Sequence, residues 1–341
     1  MRKNRPHTPE NMPNQKKKSF LSFFKKKSFW LIFFALLGFG FFCFFWGIKS
    51  GIWVEKKWTQ AACNFSKENN PFPAKTQAPN STKFLAVGDF GEANGHHQKI
   101  ALAAREYCLK KGCDFGLLLG DNFYETGVKS IFDPLWKEIY QNFWAPLKIP
   151  FYAVLGNHDV KGNAQAQYDY GLIDKNWVMP SPNYTFQTPN ADFFAINTNC
   201  NVFSLRQLKK DFQATQANQN WKIVLGHHPV YGYSGHYANN WLFQKYWERN
   251  FEKKIDFYLA GHNHNLELIE KKDAKTVYLT SGSASRLHET LNFPQAKEPF
   301  VLDFQGNTNG FAWVELKEKA AQIHFLNEDG KEIYTKNFSK K

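Results

Sequence analysis

No internal repeat runs through the 341 residues, and no low-complexity segment lies outside a basic stretch at the start. The missing period excludes solenoid and propeller architectures. Cysteine is scarce, five residues in all, and none stands at zinc-ribbon spacing. Cys108 and Cys113 flank Gly112, and both pairing and free thiols remain open for them; Cys43 falls in the apolar run described next. Acidic residues are scarce only at one end. Residues 1–27 hold nine Lys/Arg and a single acid, Glu10, and so supply +8 of the net +13. The remainder has 34 basic against 29 acidic residues, a near balance that argues against a nucleic-acid-binding surface.

Charge is missing altogether from residues 29–48, twenty residues reading FWLIFFALLGFGFFCFFWGI. About twenty apolar residues span a bilayer's hydrocarbon core as a helix. Trp30, Trp46 and Trp53 lie near the ends, where indoles favour the interface, and the lysines before the run place the N-terminus in the cytoplasm. A cleaved signal peptide has a shorter apolar region, about 7–15 residues, that ends in small side chains. This run ends in Phe-Phe-Trp before Gly47. The expectation is a basic cytoplasmic tail at 1–28, an uncleaved single-pass anchor at 29–48, a linker at 49–82 and a domain at 83–338. That domain would lie outside the cytoplasm, in the periplasm of a bacterium.

From Lys83 the pattern alternates. KFLAVGDFG, FGLLLGDNFY, FYAVLGNHD, DFFAINT, WKIVLGHHPVY and DFYLAGHNHN read as strands ending in turns. Helices are predicted over 98–110, 131–143, 204–214 and 240–251. After Tyr278 strands dominate, the last two joined by an Asn-Glu-Asp-Gly turn. Alternation of this kind predicts an α/β domain with sheet inside and helices on both faces. His96 and His97 are expected on a solvated turn.

Five of the strands end in glycine followed by polar residues: Gly88-Asp89, Gly120-Asp121, Gly156-Asn157-His158, Gly226-His227 and Gly261-His262-Asn263-His264. One such pair is an ordinary turn. Five at strand ends describe a ligand crevice beyond the carboxyl edge of a sheet. Asp121 has two oxygens, enough to bridge two cations about 3.5–4 Å apart.

These blocks resemble the calcineurin-like metallophosphoesterases, with their D-x-H, G-D, G-N-H, G-H and G-H-x-H pattern. One departure is informative: Asp89-Phe90-Gly91 lacks the histidine of the first block. Tyr124 stands where purple acid phosphatases supply a substitute ligand. The chain is similar to the small tartrate-resistant members of that branch over about 83–338, including GDNFYETGV (120–128), GNHDVKGN (156–163), PSPNY (180–184), GHNHN (261–265) and GFAWVE (310–315). The resemblance implies a β-sandwich flanked by helices, in αββα layers. It implies Fe3+ on Asp89, Asp121, Tyr124 and His264, with Asp121 bridging to a divalent ion (Fe2+, Zn2+ or Mn2+) on Asn157, His227 and His262. His158 and His236 would face substrate just outside the metals.

The implied activity is hydrolysis of phosphate monoesters by a metal-activated hydroxide, with His236 or His158 protonating the leaving alkoxide. The chemistry agrees with the donor types. A phenol of pKa about 10 asks for a hard trivalent cation to strip its proton, and the Asn/His set suits a borderline divalent ion. Summing +5 from the ions, −3 from Asp89, Asp121 and Tyr124, and −1 from hydroxide leaves +1, matched to a phosphate dianion. Alternatives are a phosphodiesterase or nucleotidase on the same metals, and a non-catalytic metal-binding module, which usually betrays itself by lost ligands; none is lost here. The longer loop that restrains the animal enzymes until it is cut is missing from 199–221, so no proteolytic switch is expected. His228 is expected on the rim and Asp159 in orienting a loop; Arg286 and His288 follow a strand ending at Gly282 and could reach the cleft, but the expectation leaves them outside it.

Overall fold

Phe84, Phe115, Phe186 and Phe193 come from four strands and meet in one core. The Phe115 ring lies edge-on to Phe186 and Phe193 at 5.7 and 5.5 Å, and Phe84 meets Phe193 at 5.6 Å, the edge-to-face geometry aromatic quadrupoles favour. Phe84 and Phe115 belong to one sheet and Phe186 and Phe193 to the other, so this contact packs the two sheets face to face. The structure, a computed structural model, describes Cys63 and residues 72–200, 202–215, 217–233, 240–288 and 299–340.

The first sheet has seven strands, in the order β15 (Glu332–Ser339), β14 (Ala320–Asn327), β13 (Gly310–Lys317), β2 (Ser81–Val87), β3 (Phe115–Leu118), β4 (Phe151–Ala153) and β5 (Trp177–Val178). The second has eight: β1 (Phe72–Pro73), β6 (Tyr184–Gln187), β7 (Ala191–Ala195), β8 (Trp221–Leu225), β9 (Phe257–Ala260), β11 (Val277–Ser281), β10 (Leu266–Lys271) and β12 (Phe300–Gly306). Strands β2 to β5 run parallel, as do β7, β8, β9 and β11. Their fully buried faces explain the unbroken apolar runs read from the sequence. Helix α1 (Gly95–Lys111) packs on β13, α2 (Ala164–Asp169) follows β4, α3 (Val202–Thr215) packs on β7, and α4 (Trp241–Asn250) packs on α3. The result is a mixed α/β fold of two sheets with helices against both.

Helix α1 starts where Asn94 accepts from the His97 amide at 3.0 Å and ends with Lys110 and Lys111 beside Gly112, a capped and dipole-matched segment. The helix expected over 131–143 does not form as an α-helix. A π-helical turn, Trp136–Gln141, and a 3-10 turn, Ala145–Leu147, stand there. The wider turn lets Trp136 and Tyr140 both meet Trp177, at 4.8 and 5.1 Å, while Trp136 stacks on Tyr170. Within the stretch read as a linker, Phe72–Pro73 pairs with β6 and Cys63 is bridged to Cys200. Cys108 and Cys113 are also bridged, closing the end of α1. No helix among the described residues is long and apolar enough to cross a membrane, and the expected span at 29–48 lies outside them.

His97 departs from its expected solvated turn. His96 does stay outside, paired with Glu328 at 2.6 Å. One residue later the helix turns His97 wholly inside, where its Nε2 accepts from the Trp144 indole at 2.9 Å and its ring faces Phe90 and Phe143. Burial pushes its pKa from 6.5 down to about 4. In the unfolded chain the ring takes its proton near 6.5, so stability is full above that value and falls as the pH drops towards 4. The expected loss across that window is about 3 kcal/mol at about 1.4 kcal/mol per pKa unit. His97→Gln should remove this component, so denaturant midpoints measured at pH 7 and pH 4.5 should converge for the variant relative to wild type. Equal slopes for both proteins would show that His97 does not set the acid limit.

Candidate metal centre

The parallel strands of both sheets end at a common edge, and the residues just beyond them form the site. Asp89 follows β2, Asp121 and Tyr124 follow β3, and Asn157 and His158 follow β4; His227 follows β8, and His262 and His264 follow β9. Three of these residues take the left-handed backbone that non-glycine residues avoid: Asp89 (φ 57°), Asp121 (φ 51°) and His262 (φ 67°). Such outliers persist where the surroundings over-determine them and cluster at functional sites. Glycine is required beside them. A Cβ on Gly156 would stand 2.1 Å from Asp121 Oδ1, and one on Gly120, itself at φ +88°, 2.6 Å from His227 Nδ1.

Two donor groups emerge. In the first, Tyr124 Oη donates to Asp89 Oδ1 at 3.0 Å and lies 3.2 Å from His264 Nε2, which is 3.3 Å from the same Asp89 oxygen. In the second, Asn157 Oδ1 is 3.0 Å from both His227 Nε2 and His262 Nδ1, and those nitrogens are 3.2 Å apart. Asp121 Oδ1 lies 3.5 Å from His227 Nε2 and accepts the His158 amide at 2.8 Å. The tautomer of His227 is set by the Leu119 carbonyl, which its Nδ1 faces at 2.9 Å. A carbonyl only accepts, so Nδ1 holds the proton and Nε2 turns a lone pair into the cluster. Lone pairs from Asn157, His227 and Asp121 thus converge with few protons among them, which is the donor chemistry of a cation site. Asp89, Asp121 and His227 also form one compact buried group of potential ligand atoms, and His227, His228 and His262 a second, less buried one.

Electrostatics point the same way. Burial, and then the charge of Asp121, push the Asp89 carboxyl well above its usual range, and burial raises Asp121 too. Burial and neighbouring imidazoles hold His227 and His228 well below the ordinary histidine value. Burial, then Asp89 and Asp121, raise the Tyr124 hydroxyl, while Arg286 pulls it the other way. Two buried carboxylates whose ionisation is opposed by burial are stabilised by a bound cation at their side. The residues present therefore fit a pair of metal ions.

Around this centre the structure places the remaining candidates. His158 Nδ1 donates to the Glu125 carbonyl at 2.7 Å, and its ring lies edge-on to Tyr124 at 4.6 Å. His236 lies outside the described residues. Asp159 is fully buried and accepts from the amides of Gly156, Asn122 and Phe123 and from Gln167 Nε2, tying the loops after β3 and β4 together. His228 is half-buried beside the centre: its Nδ1 meets Thr198 Oγ1 at 2.8 Å and its ring lies 4.5 Å from His262. Thr198 and Gln167 had no signal in the sequence, since neither belongs to a strand-end block. Arg286 and His288 do reach the centre, over Tyr124 and against His264.

The calcineurin-like phosphoesterase model matches residues 82–266. The chain is 30% identical over 288 residues to purple acid phosphatase 3 of Arabidopsis thaliana, covering 76% of this chain and 77% of that one. It is 29% identical over 293 residues to the tartrate-resistant acid phosphatase type 5 of Homo sapiens, covering 74% and 89%. Among solved structures, GAP50, titled the anchor in the inner membrane complex of Plasmodium, shares the fold with a TM-score of 0.65 at 24% identity, covering 77% and 90%. With a family match over more than half its length and acid phosphatase relatives over three quarters of it, the chain belongs to the calcineurin-like phosphoesterases, in the purple acid phosphatase branch of phosphoric monoester hydrolases.

Proposed function

We propose that the domain is a binuclear-metal acid phosphatase for phosphate monoesters, held at a membrane by residues 29–48 with its active site outside the cytoplasm. The observation that supports the chemistry is the convergence of donors from both sheets on two buried carboxylates, with no side-chain cation among the ligating atoms. Asp89, Asp121, Tyr124 and His264 would hold Fe3+; Asp121, Asn157, His227 and His262 would hold a divalent ion, Fe2+, Zn2+ or Mn2+. When bound, such ions lower the pKa of water and neutralise phosphate oxygens. The chain's own residues do the rest. His158, fixed through Nδ1 by the Glu125 carbonyl, keeps Nε2 for proton exchange or for a phosphate oxygen. His236 is assigned the leaving-group proton.

For the location, support comes from the uncharged run at 29–48, the lysines before it and the bridges Cys63–Cys200 and Cys108–Cys113. Disulfides persist in oxidising compartments and are rare in the cytosol. A reporter fused after Lys341 should be exposed outside the cytoplasm, and the full chain should sediment with membranes. Recovery of a soluble product beginning near residue 50 would mean a cleaved signal instead.

Two measurements test the site. The purified protein should contain iron and absorb visible light through the Tyr124 phenolate, and Tyr124→Phe should bleach it while leaving the ring packed. An iron-containing protein that is colourless and keeps full activity as Tyr124→Phe would remove Tyr124 from the ligand set. His236→Ala should slow alkyl phosphates by about 10²–10⁴-fold, the usual weight of general acid catalysis, and aryl phosphates with good leaving groups far less. Equal losses on both, at unchanged metal content, would take the proton-donor role away from His236.

A further inference from the structure

The loop after β11 covers the iron half of the centre, one side chain per ligand. Ser285 donates to the Asp89 carbonyl from its hydroxyl at 2.5 Å and its amide at 3.1 Å. His288 stacks on the His264 ring at 4.0 Å, nearly parallel, and its amide donates to the His264 carbonyl at 3.2 Å. Between them, the guanidinium carbon of Arg286 lies 4.0 Å from the centre of the Tyr124 ring. Arg286 is not free to take a substrate phosphate by its usual fork. Its Nε donates to Glu92 Oε2 at 2.6 Å and its Nη2 donates to Glu125 Oε1. Glu92 stands just after β2 and Glu125 just after Tyr124, so the two carboxylates hold the fork by its N–H edge while its carbon stays over the ring. None of these five residues is among the proposed metal ligands.

We propose that Arg286 is a positioning residue that sets how strongly the Tyr124 oxygen donates to iron. This rests on the ferric centre proposed above. A cation over the face of an aromatic ring stabilises the ring's electrons. In a phenolate those are the electrons shared with the metal, so the guanidinium weakens the donation without touching the metal. Weaker donation stabilises ferric less relative to ferrous iron, and it moves the phenolate-to-iron absorption to higher energy. Glu92 and Glu125 moderate the effect by pairing the guanidinium. The clamp therefore tunes colour and ease of reduction together, from a residue that makes no bond to either ion.

The test uses the metal-loaded full chain, with iron content, visible spectrum and a reductive titration against a dye of known potential. Arg286→Met should keep its iron and band intensity, shift the band to longer wavelength, and move the redox equilibrium about three- to tenfold towards ferric, as cation–π energies of this size imply. A loss of activity alone would not bear on the inference; the wavelength and the redox equilibrium decide it. A band at the wild-type wavelength with an unchanged equilibrium overturns the role of Arg286. If Arg286→Met fails to hold iron, Glu92→Gln decides instead: it leaves the guanidinium less neutralised and should move the band to shorter wavelength, and an unmoved band overturns the proposal. A wild-type protein that holds iron yet has no phenolate band fails at the earlier step, removing the ferric reading of Tyr124 and this inference with it.

Discussion

Two carboxylates buried side by side are the constraint from which the rest of this fold's edge follows. Asp89 and Asp121 stand almost wholly out of water, and each raises the cost of ionising the other or is raised by its own burial. Taking a charge out of water is expensive unless something of opposite sign is close. The His227 imidazole against Asp121 is held well below the ordinary histidine value by its burial, and the Tyr124 hydroxyl against Asp89 is raised by its own, so neither brings a positive charge to its carboxylate. Metal cations resolve that conflict, and the backbone amides of His158 and His262 grip the same carboxylates so that they wait in place. Preorganisation of this kind means that binding an ion reorganises little.

Rigidity in the surrounding loops serves that arrangement. Asp159 accepts from three backbone amides on two loops, and Asn122 reaches from one loop to the Val154 carbonyl and Gln167 of the other side. Removing one member of such a network leaves the others buried without partners, which costs more than the single bond. The donors from the seven-stranded sheet therefore move as one body. Those from the eight-stranded sheet are joined to it through the Leu119 carbonyl under His227 and through Asp89 under His262.

Much of this was legible because the donors obey a local rule. Five of the seven proposed donors follow a glycine at the end of an apolar strand, so Asp89, Asp121, Asn157, His227 and His262 are visible in linear order. Tyr124 was legible through the gap left by the missing histidine in Asp89-Phe90-Gly91. What was not legible depends on contacts far apart in sequence. The Arg286–Glu125 pair spans 161 residues, and Thr198 meets His228 across 30. His97 was misread because the spacing near the start of α1 does not say which of two neighbouring imidazoles faces in; Trp144, far along the chain, decides it. The turn at Trp136–Gln141 was read as an α-helix because apolar spacing cannot distinguish a normal turn from a widened one.

Strand β13 lies between β14 and β2, although it is among the last strands in the chain. The strand that leads into Asp89 thus gains its second neighbour only when the C-terminal quarter of the chain has arrived. During synthesis the donors up to His264 exist while β2 still has an open edge, and an open edge is a template for pairing with the wrong strand. Premature stops or clipping ahead of β13 would yield chains that hold every described donor and no finished platform for them. The platform under the first donor is therefore complete only when the C-terminal strands have paired beside it.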